Sequence, residues 1–147
     1  DSKLRAAFQA LAGASEEEPF VRIEGRTIHC LRRAGDVIWF DFHTLCGGPR
    51  SQNDYLEIAS QFHSVILSSI PRMSASMSSE ARRFTWLIDV FYDHKVKLIM
   101  SAEVVPEELY MHGVLSNEFH RTVSRIVEMQ SREYMELGRR AGAESLS

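Results

Sequence analysis

Residues 81–110 read ARRFTWLIDVFYDHKVKLIMSAEVVPEELY, and this stretch decides the fold. Phe84, Leu87, Ile88 and Phe91 recur at the i, i+3, i+4, i+7 spacing of one helical face. Asp93 and His94 interrupt the apolar run, after which Val96, Leu98, Ile99 and Met100 form a near-continuous apolar segment. Such a segment fits a strand covered on both faces, the usual state of a parallel strand. Ser101 closes the strand, and Pro106 with Glu107 and Glu108 opens a further helix. A helix feeding a buried strand predicts α/β architecture. Ligands of open α/β sheets sit outside the carboxyl ends of the strands, so Ser101 is the first position to consider for function.

The whole chain bounds that reading. Its 147 residues are 44% hydrophobic and 25% charged, as expected for a single globular domain with a sizeable core. A net charge of −3 argues against nucleic acid or an anionic membrane as an obligatory partner. No apolar run approaches the roughly 20 residues that span a bilayer. Cys30 and Cys46 lie in apolar contexts and are expected to be buried free thiols. The first residue is Asp1 rather than Met, and a piece of a longer protein is expected.

Upstream of the central stretch, Leu4, Ala7, Phe8 and Leu11 mark a short amphipathic helix, and Glu16-Glu17-Glu18-Pro19 a solvated connection. Phe20–Ile23, Thr27–Leu31 and Val37–Phe42 read as strands, with turns at Glu24-Gly25 and Arg33-Ala34-Gly35-Asp36. Together they predict an antiparallel β-meander leading into a small mixed or parallel sheet with flanking helices. Ser51 and Asp54 have capping-box spacing ahead of a helix that carries Tyr55, Ile58, Ala59 and Phe62. His63–Ser69 is a second buried strand, the segment around Met73 and Met77 a loop, and Ser78 or Ser79 the cap of the central helix. Beyond it, Phe119, Val123 and Ile126 continue a helical pattern. The β-branched cluster at Ile126–Met129 suits a brief strand as well, before a last helix from about Ser131. The predicted divisions are residues 1–19 as helix and connection, 20–137 as one α/β domain, and 138–147 as a tail.

No complete catalytic constellation is present: there is no nucleophile elbow, HExxH, CxxC or GxxxxGK[ST]. His29 and His43 lack ligand-spaced partners, and His112 and His120 are too isolated for a general-base role. Gly47-Gly48 ahead of Arg50 reads as a strand-to-helix turn, with Arg50 placed to meet an anion at the helix start. The informative residues are arginines. Arg82 shares a helical face with Trp86, Asp89 and Asp93, which suggests an internal ion-pair network with Trp86 under the Arg82 stem. Arg83 adjoins it, and Arg121 and Arg125 lie one turn apart, as surface arginines or as groups that reach a phosphate in a neighbouring subunit.

DFHTLCGGPRSQNDYLEIASQFHSVILSSIP, then EARRFTWLIDVFYDHKVKLIMSAEVVPEELY, then EFHRTVSRIVEMQSREY strongly resemble the C-terminal half of the AFG-like AAA+ ATPases. That family includes the bacterial ZapE-type cell-division proteins and the mitochondrial lactation-elevated-protein type. The resemblance runs from about Phe40 to Tyr134, and its SREYM ending looks closer to the bacterial type. It implies an ATP-hydrolysing parent whose Walker motifs, ATP and Mg²⁺ belong to an N-terminal half, leaving this chain without bound cofactor or metal and inactive alone. It implies the parent's own ATPase domain as a partner, with FtsZ or other division proteins and self-association as further partners. The implied location is bacterial cytoplasm, or the periphery of the inner membrane at the division site. The order of elements also resembles a degenerate P-loop ATPase half. Ser64–Ser69 then takes the Walker B strand without its acidic pair, Ser101 the sensor-like strand end, and Arg125 the arginine-finger position. The competing expectation is a stand-alone protein-binding module that does not assist ATP turnover.

Overall fold

The computed structural model describes residues 2–13 and 15–131. The expected tail, 138–147, and any helix beyond Ser131 lie outside the described residues. Helix α1 (Ser2–Leu11) precedes four short strands: β1 (Phe20–Ile23), β2 (Arg26–His29), β3 (Arg32–Ala34) and β4 (Val37–Asp41). Helices α2 (Phe42–Cys46) and α3 (Gln52–Gln61) lead to β5 (Ser64–Ile70), and α4 (Ser78–Asp93) leads to β6 (Lys97–Ala102). Helix α5 (Phe119–Met129) follows.

The fold is α/β as expected, with an antiparallel hairpin and a mixed sheet flanked by helices. The three predicted upstream strands do not form one meander. β1 and β2 pair as a separate two-stranded sheet, while β3 and β4 pair antiparallel at the edge of a four-stranded sheet ordered β3-β4-β5-β6. The chain changes sheets within one residue step. The Cys30 N–H donates to Pro19 O (3.0 Å), and the Leu31 N–H to Trp39 O (2.7 Å). Arg33-Ala34, read as the first half of a turn, therefore belong to strand β3, and the turn proper is Gly35-Asp36.

β4, β5 and β6 are parallel, and both crossovers are helical. Side-chain alternation sends Ile38, Phe40, Val65, Leu67 and Leu98 into the main core with Tyr55 and Ile58 of α3 and Phe84, Leu87, Ile88 and Phe91 of α4. The opposite face presents Val37, Trp39 and Ile66 to Leu4 and Phe8 of α1. Burial on both sides is why β4 and β5 read as continuous apolar runs. Truncating the fully buried Phe84 to Ala would cost about 3–5 kcal/mol.

Three local expectations are corrected. The central helix is not capped by Ser78 or Ser79: a 3₁₀ turn at Ala75–Met77 runs directly into it, with Met77 at the N-cap position. Pro106–Glu108 forms a single 3₁₀ turn and no longer helix. Ile126–Met129 is helix throughout, because Phe119, Thr122, Ile126 and Met129 form one buried face of α5. At α3 the Asp54 carboxylate accepts from the Ser51 N–H (2.8 Å), as the spacing anticipates.

Candidate functional site

Helix α4 buries one face in the core, and its other side meets α5. Asp89 faces α5 and takes two guanidinium groups, Arg121 Nη2 at 3.3 Å and Arg125 Nη1 in close contact. The Arg125 guanidinium also lies 4.9 Å over the Tyr92 ring, and the Tyr92 hydroxyl donates to Glu128 (2.9 Å). That bond raises the Tyr92 hydroxyl's pKa, because the carboxylate holds the phenolic proton. A polar seam thus joins the two helices over Phe84 and Phe119, whose rings stack at 6.3 Å.

This arrangement corrects the expected Arg82–Asp89 network. Arg82 lies two helical turns from Asp89, roughly 10 Å along the axis, whereas α5 delivers its arginines directly across. Arg82 is exposed and makes no ion pair among the described residues. It stands with Trp86 at the side of a cavity of about 310 Å³ between α4 and α5. Val114 and Leu115 close that cavity from the connecting loop, Glu118 from the N-cap of α5, and Phe119 and Arg121 from α5. The Tyr110 hydroxyl donates to Val114 O (2.6 Å) and holds the loop. Gly113, at φ +140°, must be glycine: a Cβ there would overlap the Tyr110 hydroxyl.

The remaining candidates serve the scaffold. Arg83 Nη1 donates to Cys46 O (2.9 Å) and Arg50 Nε to Thr44 O (3.1 Å), so both satisfy carbonyls at the end of α2. The Gly47-Gly48 turn is a helix end, with Gly47 N–H on His43 O (2.8 Å), and a Cβ at Gly47 would strike the His43 ring. Ser101 lies opposite a bulge where the β5–β6 register shifts between Leu67 and Ile70. Its hydroxyl accepts from the Ser69 N–H (3.0 Å), and Ser69 sits at φ +63°. Next to it, Ser68 Oγ accepts from the buried Trp39 Nε1 (3.1 Å).

Burial pushes the Cys30 thiol up to about 11 and the Cys46 thiol up to about 12, so both are free but unreactive in character. His29, His43, His112 and His120 are exposed. Among the described residues no three His, Cys, Asp or Glu side chains gather as a metal site. No described helix is long and apolar enough to cross a membrane. Sequence reasoning missed Arg26, which pairs from β2 with the buried Asp54 and ties the hairpin to α3. It also missed the cavity, for which Gly113 in MHGVLSNEF was the available signal.

The fold is an α/β domain with a polar seam between α4 and α5 and an open groove beside it. The chain belongs to the AFG1-like ATPase family, whose model matches residues 1–138. It is 42% identical to "Cell division protein ZapE" of Escherichia coli K12 over 134 residues, 90% of this chain and 36% of that protein. It is 31% identical to "Lactation elevated protein 1 homolog B" of Danio rerio over 176 aligned residues, 96% of this chain and 35% of that protein. The chain therefore spans about a third of the length of these curated relatives. No solved structure matches it.

Proposed function

We propose that this chain is the C-terminal, non-nucleotide-binding domain of an ATPase linked to cell division, serving assembly, docking and regulation of an upstream ATPase module. The observation that carries this reading is the chemistry at the strand ends. Where a Walker B strand would end in acidic residues, β5 carries Ser68-Ser69 ahead of Ile70, and their hydrogen bonds go to Trp39 and Ser101. Magnesium nucleotide sites draw on free carboxylates and phosphate-cradling loops, whereas the carboxylates beside this edge are engaged: Asp41 accepts from the His43 N–H (3.1 Å) and Glu103 from the Arg72 N–H (2.7 Å). ATP and Mg²⁺ are assigned in this proposal to the upstream module. Arg121, two-thirds exposed at its side chain, is the arginine better able to reach a neighbouring subunit; Arg125 is held by Asp89 and Tyr92.

Three measurements test the reading. Calorimetric titration of this chain with ATP should give no heat of binding, and binding at micromolar ATP would refute it. The full-length protein with and without this domain should differ in assembly or ATPase rate, and identical behaviour would refute the docking role. Arg121→Ala in the full-length protein should lower ATPase activity if that residue acts between subunits; an unchanged rate removes that part.

A further inference from the structure

The loop before α5 is built to display apolar side chains. Val114 and Leu115 are 63% and 48% exposed. Leu115 sits at φ +67°, a conformation strained for a bulky residue and retained here. The loop is not slack, since the Tyr110 hydroxyl holds Val114 O and the Tyr110 ring meets Phe119 edge-on at 5.7 Å. The cavity behind it, about 310 Å³, is at the lower end of ligand-pocket sizes and has room for one or two large side chains.

The charge around this groove is unbalanced. Arg82 lines it without an ion-pair partner among the described residues, and Arg121 lines it with its side chain 66% exposed. Asp89 is shared between Arg121 and Arg125, and among the described residues Glu118 is the one carboxylate lining the groove, so positive charge is in excess there. A guanidinium lining the same cavity as Trp86 is poised for a carboxylate that approaches with an apolar group.

We propose that this groove captures an apolar side chain presented on an acidic segment of a partner polypeptide; the proposal rests on the docking role above and names the chemistry of the partner. The apolar anchor fills the space between Trp86, Val114 and Phe119, and flanking carboxylates meet Arg82 and Arg121. A protein segment fits better than an anionic membrane. The groove is concave, its cationic excess is small, and the whole chain carries a net charge of −3.

The test titrates the full chain with a short fluorescein-labelled peptide bearing a Leu-Phe pair flanked by glutamates. A second peptide has glutamine at every glutamate, and a third arm uses phosphatidylglycerol vesicles. Expected is saturable anisotropy at about 10–100 µM for the acidic peptide and about tenfold weaker binding of the glutamine peptide. Arg82→Glu and, separately, Val114→Asp should each weaken the acidic peptide by about tenfold or more; both positions are exposed, so the fold is retained. Equal affinity for the two peptides, indifference to both substitutions, or binding to vesicles with none to peptide overturns the proposal. Failure here with domain-dependent assembly intact refutes the groove alone, whereas peptide binding in a protein whose assembly ignores the domain refutes the docking role alone.

Discussion

Asp89→Asn tests the seam between α4 and α5 most directly. The substitution keeps shape and one acceptor but removes the charge that two arginines share. The side chains of Asp89 and Arg125 are 20% and 24% exposed, and a charge-assisted hydrogen bond in that setting contributes about 1.5 kcal/mol. Arg121 is 66% exposed, so solvent screening cuts its share to about 0.5 kcal/mol. The expected loss is about 2 kcal/mol. With a urea slope of about 2 kcal/mol/M, the unfolding midpoint should fall by about 1 M at unchanged slope. The assay is urea unfolding followed by circular dichroism, run as a double-mutant cycle with Arg125→Met, which keeps an aliphatic stem over the Tyr92 ring. Coupling of about 1–1.5 kcal/mol between positions 89 and 125 is expected, and it should survive about 1 M salt, where the Arg121 share disappears. A midpoint shift below about 0.2 M, or strict additivity, would show that the seam does not hold α5 in place.

Gly113→Ala should cost about 2–3 kcal/mol, since it strains φ +140° and displaces the Tyr110 hydroxyl; thermal unfolding measures it, and a neutral effect would mean the loop is not held as described. Asp54→Asn should cost about 2 kcal/mol, or about 7 °C in Tm, because the 1%-exposed carboxylate anchors Arg26 while the Ser51 cap bond can persist. An unchanged Tm would remove the tie between hairpin and α3. Alkaline pH should weaken the fold. The unfolded thiols lose protons from about pH 9, while Cys30 and Cys46 keep theirs to about 11 and 12, so the unfolded state binds fewer protons and stability falls as pH rises through that window. The slope is at most about 1.4 kcal/mol per pH unit per thiol. Urea midpoints at successive alkaline pH values should fall in the wild type and less steeply in Cys46→Ala, where Cys30 still contributes; parallel profiles would sink the assignment.

The central helix and the two buried strands were legible because each repeats one physical demand. α4 needs an apolar stripe at helical spacing, and β5 and β6 need apolar residues on successive positions because both faces are covered. Asp54 was legible as a cap because its partner is three residues away. The split between the two sheets was not, because alternation within Thr27–Leu31 and Val37–Phe42 says which side chains face inward but not which strand supplies the hydrogen bonds. Arg26 was invisible for the same reason: its carboxylate lies on another element. At Ile126–Met129, β-branched propensity pointed to strand, and the packing of α5 on α4 overrode it.

The arginines show what a sequence withholds at a site of this kind. Arg50, Arg82, Arg83, Arg121 and Arg125 look alike on one line, and helical spacing pairs Arg82 with Asp89 because both lie on one helix. Folding redistributes the acceptors. Arg50 and Arg83 are taken by carbonyls at the end of α2, and Arg125 by Asp89 and the Tyr92 ring. Asp89 is thereby no longer available to Arg82, and α5 brings no replacement for it beyond Glu118 at the groove. The charge left over is therefore a consequence of the helix crossing, and it falls beside the loop that displays Val114 and Leu115. A solvated arginine carries no penalty, but exposed apolar surface beside arginines without a full complement of carboxylates among the described residues is the coincidence on which the docking proposal rests.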